Sequence, residues 1–212
     1  MEPLTALSSI VIPLVQDNID TDAIIPAAYL RSLATDPGTG LFARWRYRAD
    51  GSANPDFVLN DPRYAGARIL LSGANFACGS SRENAVWALA RYGIRCMIAL
   101  SYSDIFHENC FKNGVLPVVL GANEHAALAQ AASGAVPCVV RIDVAAGTLA
   151  CDGLPTCTFA LDARKRQMLL AGTDEVDVTL ASGARIRAFR EQHRRGKPWL
   201  YAPAGGDGGS AR

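Results

Sequence analysis

Two hydroxyls and a guanidinium stand side by side at Ser80, Ser81 and Arg82, between Gly79 and Glu83. Arginine presents a planar donor fork that matches a carboxylate or a phosphate. The serines beside it add further donors. Ser80 and Glu83 have the S-x-x-E spacing of a capping box, which predicts Ser80 as the N-cap of a helix. The first free N–H groups of that helix, with its partial positive charge, would then face the loop and favour an anion. Residue chemistry leaves two readings open here: an anion-binding turn with two hydroxyls in it, or a well-capped helix start and nothing more.

The phosphate motifs do not fit the turn. Walker A requires a lysine at the end of its glycine-rich loop, and none lies near Gly79. Gly73 and Gly79 lack the spacing of a dinucleotide fingerprint. A nucleophile elbow needs a second glycine after the serine. A serine triad needs a histidine, and the chain has only His107, His125 and His193. His125 and His193 lie in polar helical contexts and are expected to be solvated; His107, after Phe106, is expected to be structural. A carboxylate is the anion that remains.

The elements that must position this turn follow from the pattern around it. Arg68-Ile69-Leu70-Leu71 reads as a strand leading in, and Glu83 to Tyr92 as a helix leading out, ended by Gly93. Strand-like runs recur at Arg95–Leu100 and Val115–Leu120. Helices are expected at Ser103–Lys112, with Ser103 as N-cap, and at Asn123–Ser133. This alternation predicts βαβ units with parallel pairing. Ser8–Val15 is a further strand, with Pro13 near its end. Pro137–Val144 and Leu149–Leu161 read as antiparallel strands. Asp162–Leu170 is a helix, and Thr173 is expected to cap another that runs to about Arg195 with a break at Gly183. Phe42–Tyr64 reads as an ordered excursion over the surface, and Asp36–Gly40 as a loop. The fold class is α/β, with residues 1–200 as one domain and 201–212, rich in Gly, Ala and Ser, as a flexible tail.

Composition narrows the partners. The 212 residues carry a formal net charge of +1, with 50% hydrophobic and 19% charged residues, as in an ordinary globular protein without a call for nucleic acid or an acidic membrane. No basic n-region with an apolar core follows Met1-Glu2-Pro3, so a cytoplasmic location is expected. The six cysteines are scattered without a C-x-x-C pair, which argues against a zinc site or an iron–sulfur cluster held by this chain alone. Asp17, Asp20 and Asp22 lack the glycine and closing glutamate of a calcium loop, so no metal ligand is expected.

Four stretches together resemble a known family. The run from Asn75 to Ala85 is similar to the signature of the swivelling domain of the aconitase superfamily. Asp17-Asn18-Ile19-Asp20-Thr21-Asp22-Ala23-Ile24-Ile25-Pro26, Asn54 to Asn60, and Asp104 to Pro117 follow the same resemblance, in the order found in the small subunits of bacterial 3-isopropylmalate dehydratases. The likeness runs from about Ile10 to Leu200. It implies a swivelling β/β/α fold with a parallel βαβ core and additional antiparallel strands. It also implies a heteromeric hydro-lyase of leucine biosynthesis, interconverting 2- and 3-isopropylmalate, whose separate large subunit carries a [4Fe-4S] cluster. By that resemblance Ser80 is the catalytic base, Ser81 and Arg82 hold a substrate carboxylate, and the cluster iron acts as Lewis acid on the leaving hydroxyl. Arg31 is a second carboxylate or specificity contact, and Asp20, Thr21, Asp22 and Gly79 shape the site.

One departure bears on substrate. Where the family carries an Arg-Thr-Gly-Phe-Gly-like stretch, this chain reads Ala34-Thr35-Asp36-Pro37-Gly38-Thr39-Gly40, without the arginine or the phenylalanine. Alternatives are therefore a paralogous subunit acting on dimethylmalate, methylmalate or a homologous tricarboxylate, and a non-catalytic anion-binding module.

Overall fold

Short apolar runs form the central strands, and their side chains alternate between two separate cores. In the computed structural model, which describes residues 1–30 and 36–201, β1 (Ala6–Leu14), β2 (Ile69–Ser72), β3 (Cys96–Ala99) and β4 (Leu116–Val119) pair in parallel. Ile12, Leu70 and Met97 face one core, while Val11, Ile69, Leu71, Cys96 and Ile98 face the other. Both faces are covered over Val11–Leu14, Ile69–Leu71, Cys96–Ala99 and Leu116–Val118, so these runs are apolar without a polar side. On the far side of β1 the direction reverses. β5 (Val139–Asp143) pairs antiparallel to β1, and β6 (Thr148–Cys151) and β7 (Cys157–Thr158) follow as antiparallel neighbours. The sheet order is β4-β3-β2-β1-β5-β6-β7.

Helices α3 (Glu83–Tyr92) and α4 (Asp104–Lys112) cover the first core through Ala85, Val86, Leu89, Phe106 and Cys110. α5 (Ala122–Ala132) and α6 (Ala163–Ala171) cover the second through Leu128, Ala132 and Leu169. Gly93 closes α3 in a left-handed conformation at φ 112°, and Asp162 caps α6 by accepting from the N–H groups of Arg164 and Lys165.

The connection from β1 to β2 holds α1 (Thr21–Ile24), α2 (Ala43–Arg46) and several 3₁₀ turns. The expected loop at Asp36–Gly40 is one of these turns, Pro37–Gly40, because the Asp36 carboxylate accepts from Gly38 N–H at 3.0 Å. The aromatic excursion is locally packed, with Phe42 stacked on Trp45 and Phe57 edge-on to both rings.

Two expectations are corrected. His125 is not solvated: it is 4% exposed, and its Nε2 lies 2.5 Å from the carbonyl oxygen of Ser72. It shares a helical face with Leu128 and Ala132, three and seven residues on, and that face packs on the sheet. Thr173 is not the next cap. Asp174 is, in a reciprocal capping box with Asp177 at the start of α7 (Glu175–Ala181). The described residues divide into two compact units, one up to Thr173 and one from Asp174 onward; the tail expected at 201–212 lies, from residue 202 on, outside the described residues. In the second, α7 and α8 (Gly183–Gly196) bury no residue, and His193 stacks on Phe189 and bonds Tyr201 Oη at 2.9 Å.

Candidate active site

The carboxyl ends of β1, β2 and β3 lie along one edge of the sheet, next to the point where its direction reverses. Open α/β sheets bind ligands in that crevice. The turn from Gly73 to Arg82 leaves β2 there and is laced to both neighbours. On the β1 side, Gly73 N–H donates to Gln16 O at 3.1 Å, Asn18 N–H to Ala74 O at 2.9 Å, Ala77 N–H to Ile19 O at 2.7 Å and Thr21 N–H to Cys78 O at 3.1 Å. On the β3 side, Phe76 N–H donates to Ser101 O and Ser103 N–H returns to Phe76 O, both at 3.0 Å. The Phe76 ring is fully buried and packs edge-on to Tyr102 and Phe106. Burying such a side chain contributes about 1.5–3 kcal/mol, which pins the middle of the turn.

This lacing demands unusual backbone. Asn75 and Ala77 sit at φ 55° and 60°, and Gly79 at 88°. Asparagine tolerates the left-handed region; alanine does not, and the bond to Ile19 O holds it there. Gly73 is required for a different reason: a Cβ there would lie 2.1 Å from an Asp17 carboxylate oxygen, which accepts from Ala74 N–H at 2.6 Å.

Beyond Cys78 the lacing stops. Ser80 and Ser81 are exposed, and among the described residues neither hydroxyl is hydrogen-bonded. None of the backbone N–H groups from Gly79 to Asn84 donates to a described residue. The predicted capping box is corrected here. Arg82 holds the N-cap position without a side-chain cap bond, and Glu83 opens the helix and accepts from Asn113 Nδ2 at 3.0 Å instead of reaching back. Gly79 takes a positive φ, and Ser80 and Ser81 precede the N-cap position instead of occupying it. The consequence favours anion binding, since the donors a capping serine would have satisfied are free.

Arg82 is not free. Its guanidinium grips Asp22 through two bonds, Nη1 to Oδ1 and Nη2 to Oδ2, the second at 3.2 Å. The hydrogen bond from Arg82 chiefly holds the Asp22 carboxyl below the usual carboxylate range, with the charges of Arg82 and Arg44 adding to it. Asp20 caps α1, accepting from Ala23 N–H at 2.7 Å, and bridges to Cys78. Thr21 is buried beside Gly79. The fold thus gathers Gly79, Ser80, Ser81 and Arg82 with Asp20, Thr21 and Asp22. Arg31 lies outside the described residues. Sequence reasoning missed two features: the Asp22–Arg82 pair, across 60 positions, and Arg44. Arg44 lies three residues into a short aromatic segment and carries no motif.

Other chemistry is not assembled. All six cysteines are free thiols, and burial pushes the thiols of Cys96 and Cys110 far up, which makes them inert packing groups. Among the described residues no three His, Cys, Asp or Glu side chains converge as metal donors. No helix of the described residues is long and apolar enough to cross a membrane. His107 is half-buried between the rings of Tyr102 and Phe111, and burial lowers its pKa.

Comparison with known proteins adds independent findings. The aconitase C-terminal domain family matches residues 1–123. A 3-isopropylmalate dehydratase small subunit of Sinorhizobium medicae is 46% identical over 200 residues, 94% of this chain and 100% of the relative. That of Azorhizobium caulinodans is 44% identical over 201 residues, at the same coverage. That of Neisseria gonorrhoeae is 43% identical over 211 residues, 95% of this chain and 99% of the relative. A crystal structure of 3-isopropylmalate dehydratase from Methanocaldococcus jannaschii superposes with a TM-score of 0.60 at 25% identity, covering 87% of this chain and 99% of that one. The expected fold class, a parallel core with antiparallel strands added, is borne out by this likeness and by the sheet itself.

Proposed function

The chain belongs to the 3-isopropylmalate dehydratase small subunits of the aconitase C-terminal domain family, and from that premise we propose that it is the small subunit of a hydro-lyase interconverting 2- and 3-isopropylmalate. The near-full-length identity to relatives of that name carries the assignment. The chemistry follows from the turn at the end of β2.

Ser80 is the base in this reading. Its oxygen takes the proton on the carbon next to a carboxylate, the C–H electron pair becomes the double bond, and hydroxide departs from the neighbouring carbon. Readdition of water with the positions exchanged gives the isomer. A serine hydroxyl is far too weak an acid to serve as alkoxide in bulk water. The free N–H groups of Gly79 to Asn84 and the end of α3 supply donors for the oxyanion. Ser81 and Arg82 hold a substrate carboxylate, and Asp22 orients the guanidinium for it.

The exposure of Ser80 and Ser81 supports a two-chain site, because such a base needs a surface that excludes water. The described residues do not fit a [4Fe-4S] cluster, for want of converging donors, and in this reading the large subunit carries it. Co-expression with a large subunit under anaerobic conditions, followed by assay on a panel of substituted malates, tests the proposal. Turnover of isopropylmalate in preference to dimethylmalate and methylmalate is expected. Preference for another member of the panel would reassign the substrate while keeping the reaction class.

A further inference from the structure

The catalytic turn lacks something that a doubly charged substrate needs. Asp22 already engages the fork of Arg82 through two bonds. A dicarboxylate approaching Ser80 therefore meets little uncompensated positive charge from the turn's own side chains. Such charge does stand nearby. A cleft of about 810 Å³ opens between the 3₁₀ turn Ala27–Leu30 and α2. Among the described residues its walls include Tyr29, Arg44, Tyr47 and Arg48, and no carboxylate. Arg44 and Arg48 are both exposed, and among the described residues neither side chain makes an ion pair or hydrogen bond.

The crossing of α1 and α2 singles out Arg44. Phe42 N–H donates to Ile24 O at 2.7 Å. Asp22 stands two residues before Ile24, and Arg44 two residues after Phe42. The arginine is thereby brought near enough for its charge to act on the Asp22 carboxylate. Arg44 also lines a neighbouring cleft of about 570 Å³ with Leu14 and Gln16, at the carboxyl end of β1. Arg44 thus lines both clefts.

We infer that the cleft between Ala27–Leu30 and α2 is a second carboxylate subsite with Arg44 as its cation, so that a dicarboxylate spans from Ser81 and Arg82 to Arg44. The inference rests on the dicarboxylate reading above and names a specificity residue for it. With the full chain in complex with its large subunit, Arg44→Gln should raise KM for 2-isopropylmalate about 10- to 100-fold, the loss of a charge-assisted contact, with kcat within about two-fold. Arg44→Lys should recover part of the loss. An unchanged KM in Arg44→Gln would overturn the subsite. A second readout does not use turnover. In the complex assembled from the ¹⁵N-labelled chain and its large subunit, the Arg44 Nε–H resonance should shift on titration with 2-isopropylmalate, and a resonance that stays in place also overturns the inference. Should it shift while the wild-type complex turns over no substituted malate, the subsite stands and the functional reading falls.

Discussion

Replacing Gly73 by alanine tests how the turn is held. The new Cβ would lie 2.1 Å from Asp17 Oδ1 and 2.8 Å from both the carbonyl carbon and the oxygen of Gln16. The Asp17 side chain can rotate away, and it then gives up the Ala74 N–H bond of 2.6 Å. The Gln16 backbone must retreat, and it gives up the Gly73 N–H bond of 3.1 Å. Two such bonds contribute about 1 kcal/mol each, with about 1 kcal/mol more for a buried N–H left unmade. Alanine's stiffer unfolded chain offsets about 0.4–1 kcal/mol. The net loss is about 2 kcal/mol, which for a chain of this size lowers Tm by about 4–8 °C. Differential scanning calorimetry reads this directly. Asp17→Ala, which removes the first bond without forcing the backbone, should show a smaller drop. A Gly73→Ala protein melting with the wild type would refute the claim that this close approach fixes the turn.

Three further outcomes are expected. Arg82→Lys keeps the charge but loses the two-point grip on both Asp22 and substrate, so KM should rise about ten-fold or more; unchanged kinetics would remove Arg82 from the carboxylate site. His125→Ala should destabilise by about 2–4 kcal/mol in urea unfolding, from the cavity and the lost contact with Ser72 O, with no change in the sheet by circular dichroism. The pKa of His107 is depressed in the fold, so folding favours the neutral ring: its contribution is intact above the ordinary histidine pKa and falls away as pH drops through the folded value. Acid unfolding of His107→Gln should therefore be less steep across that range, and the His107 ring resonances should titrate below those of a free histidine.

The alternating core was legible because its signals are local. Apolar runs at Ile69, Cys96 and Leu116 have no polar side, and the helix between the first two stops at a glycine with positive φ. The motif residues Ser80, Ser81 and Arg82 were legible as types at a spacing. Their arrangement was not. The capping box at Ser80 fails because tertiary bonds from Ile19 and Thr21 hold Ala77 and Cys78, and the chain spends the following residues turning back toward α3. His125 reads as polar from its neighbours Glu124 and Asn123, while its helical face belongs to Leu128 and Ala132. The commitment of Arg82 to Asp22, and the place of Arg44 beside it, depend on the crossing of α1 and α2, which no short window of sequence contains.

The central claim is that the exposed Ser80 oxygen is the base. Its side chain is exposed and, among the described residues, makes no hydrogen bond, so Ser80→Ala should melt within about 1–2 °C of the wild type and assemble equally with the large subunit. Interconversion of 2- and 3-isopropylmalate by that assembled complex should fall by a factor of about 10² to 10⁴ or more. An assembled Ser80→Ala complex that turns over at the wild-type rate would contradict the account.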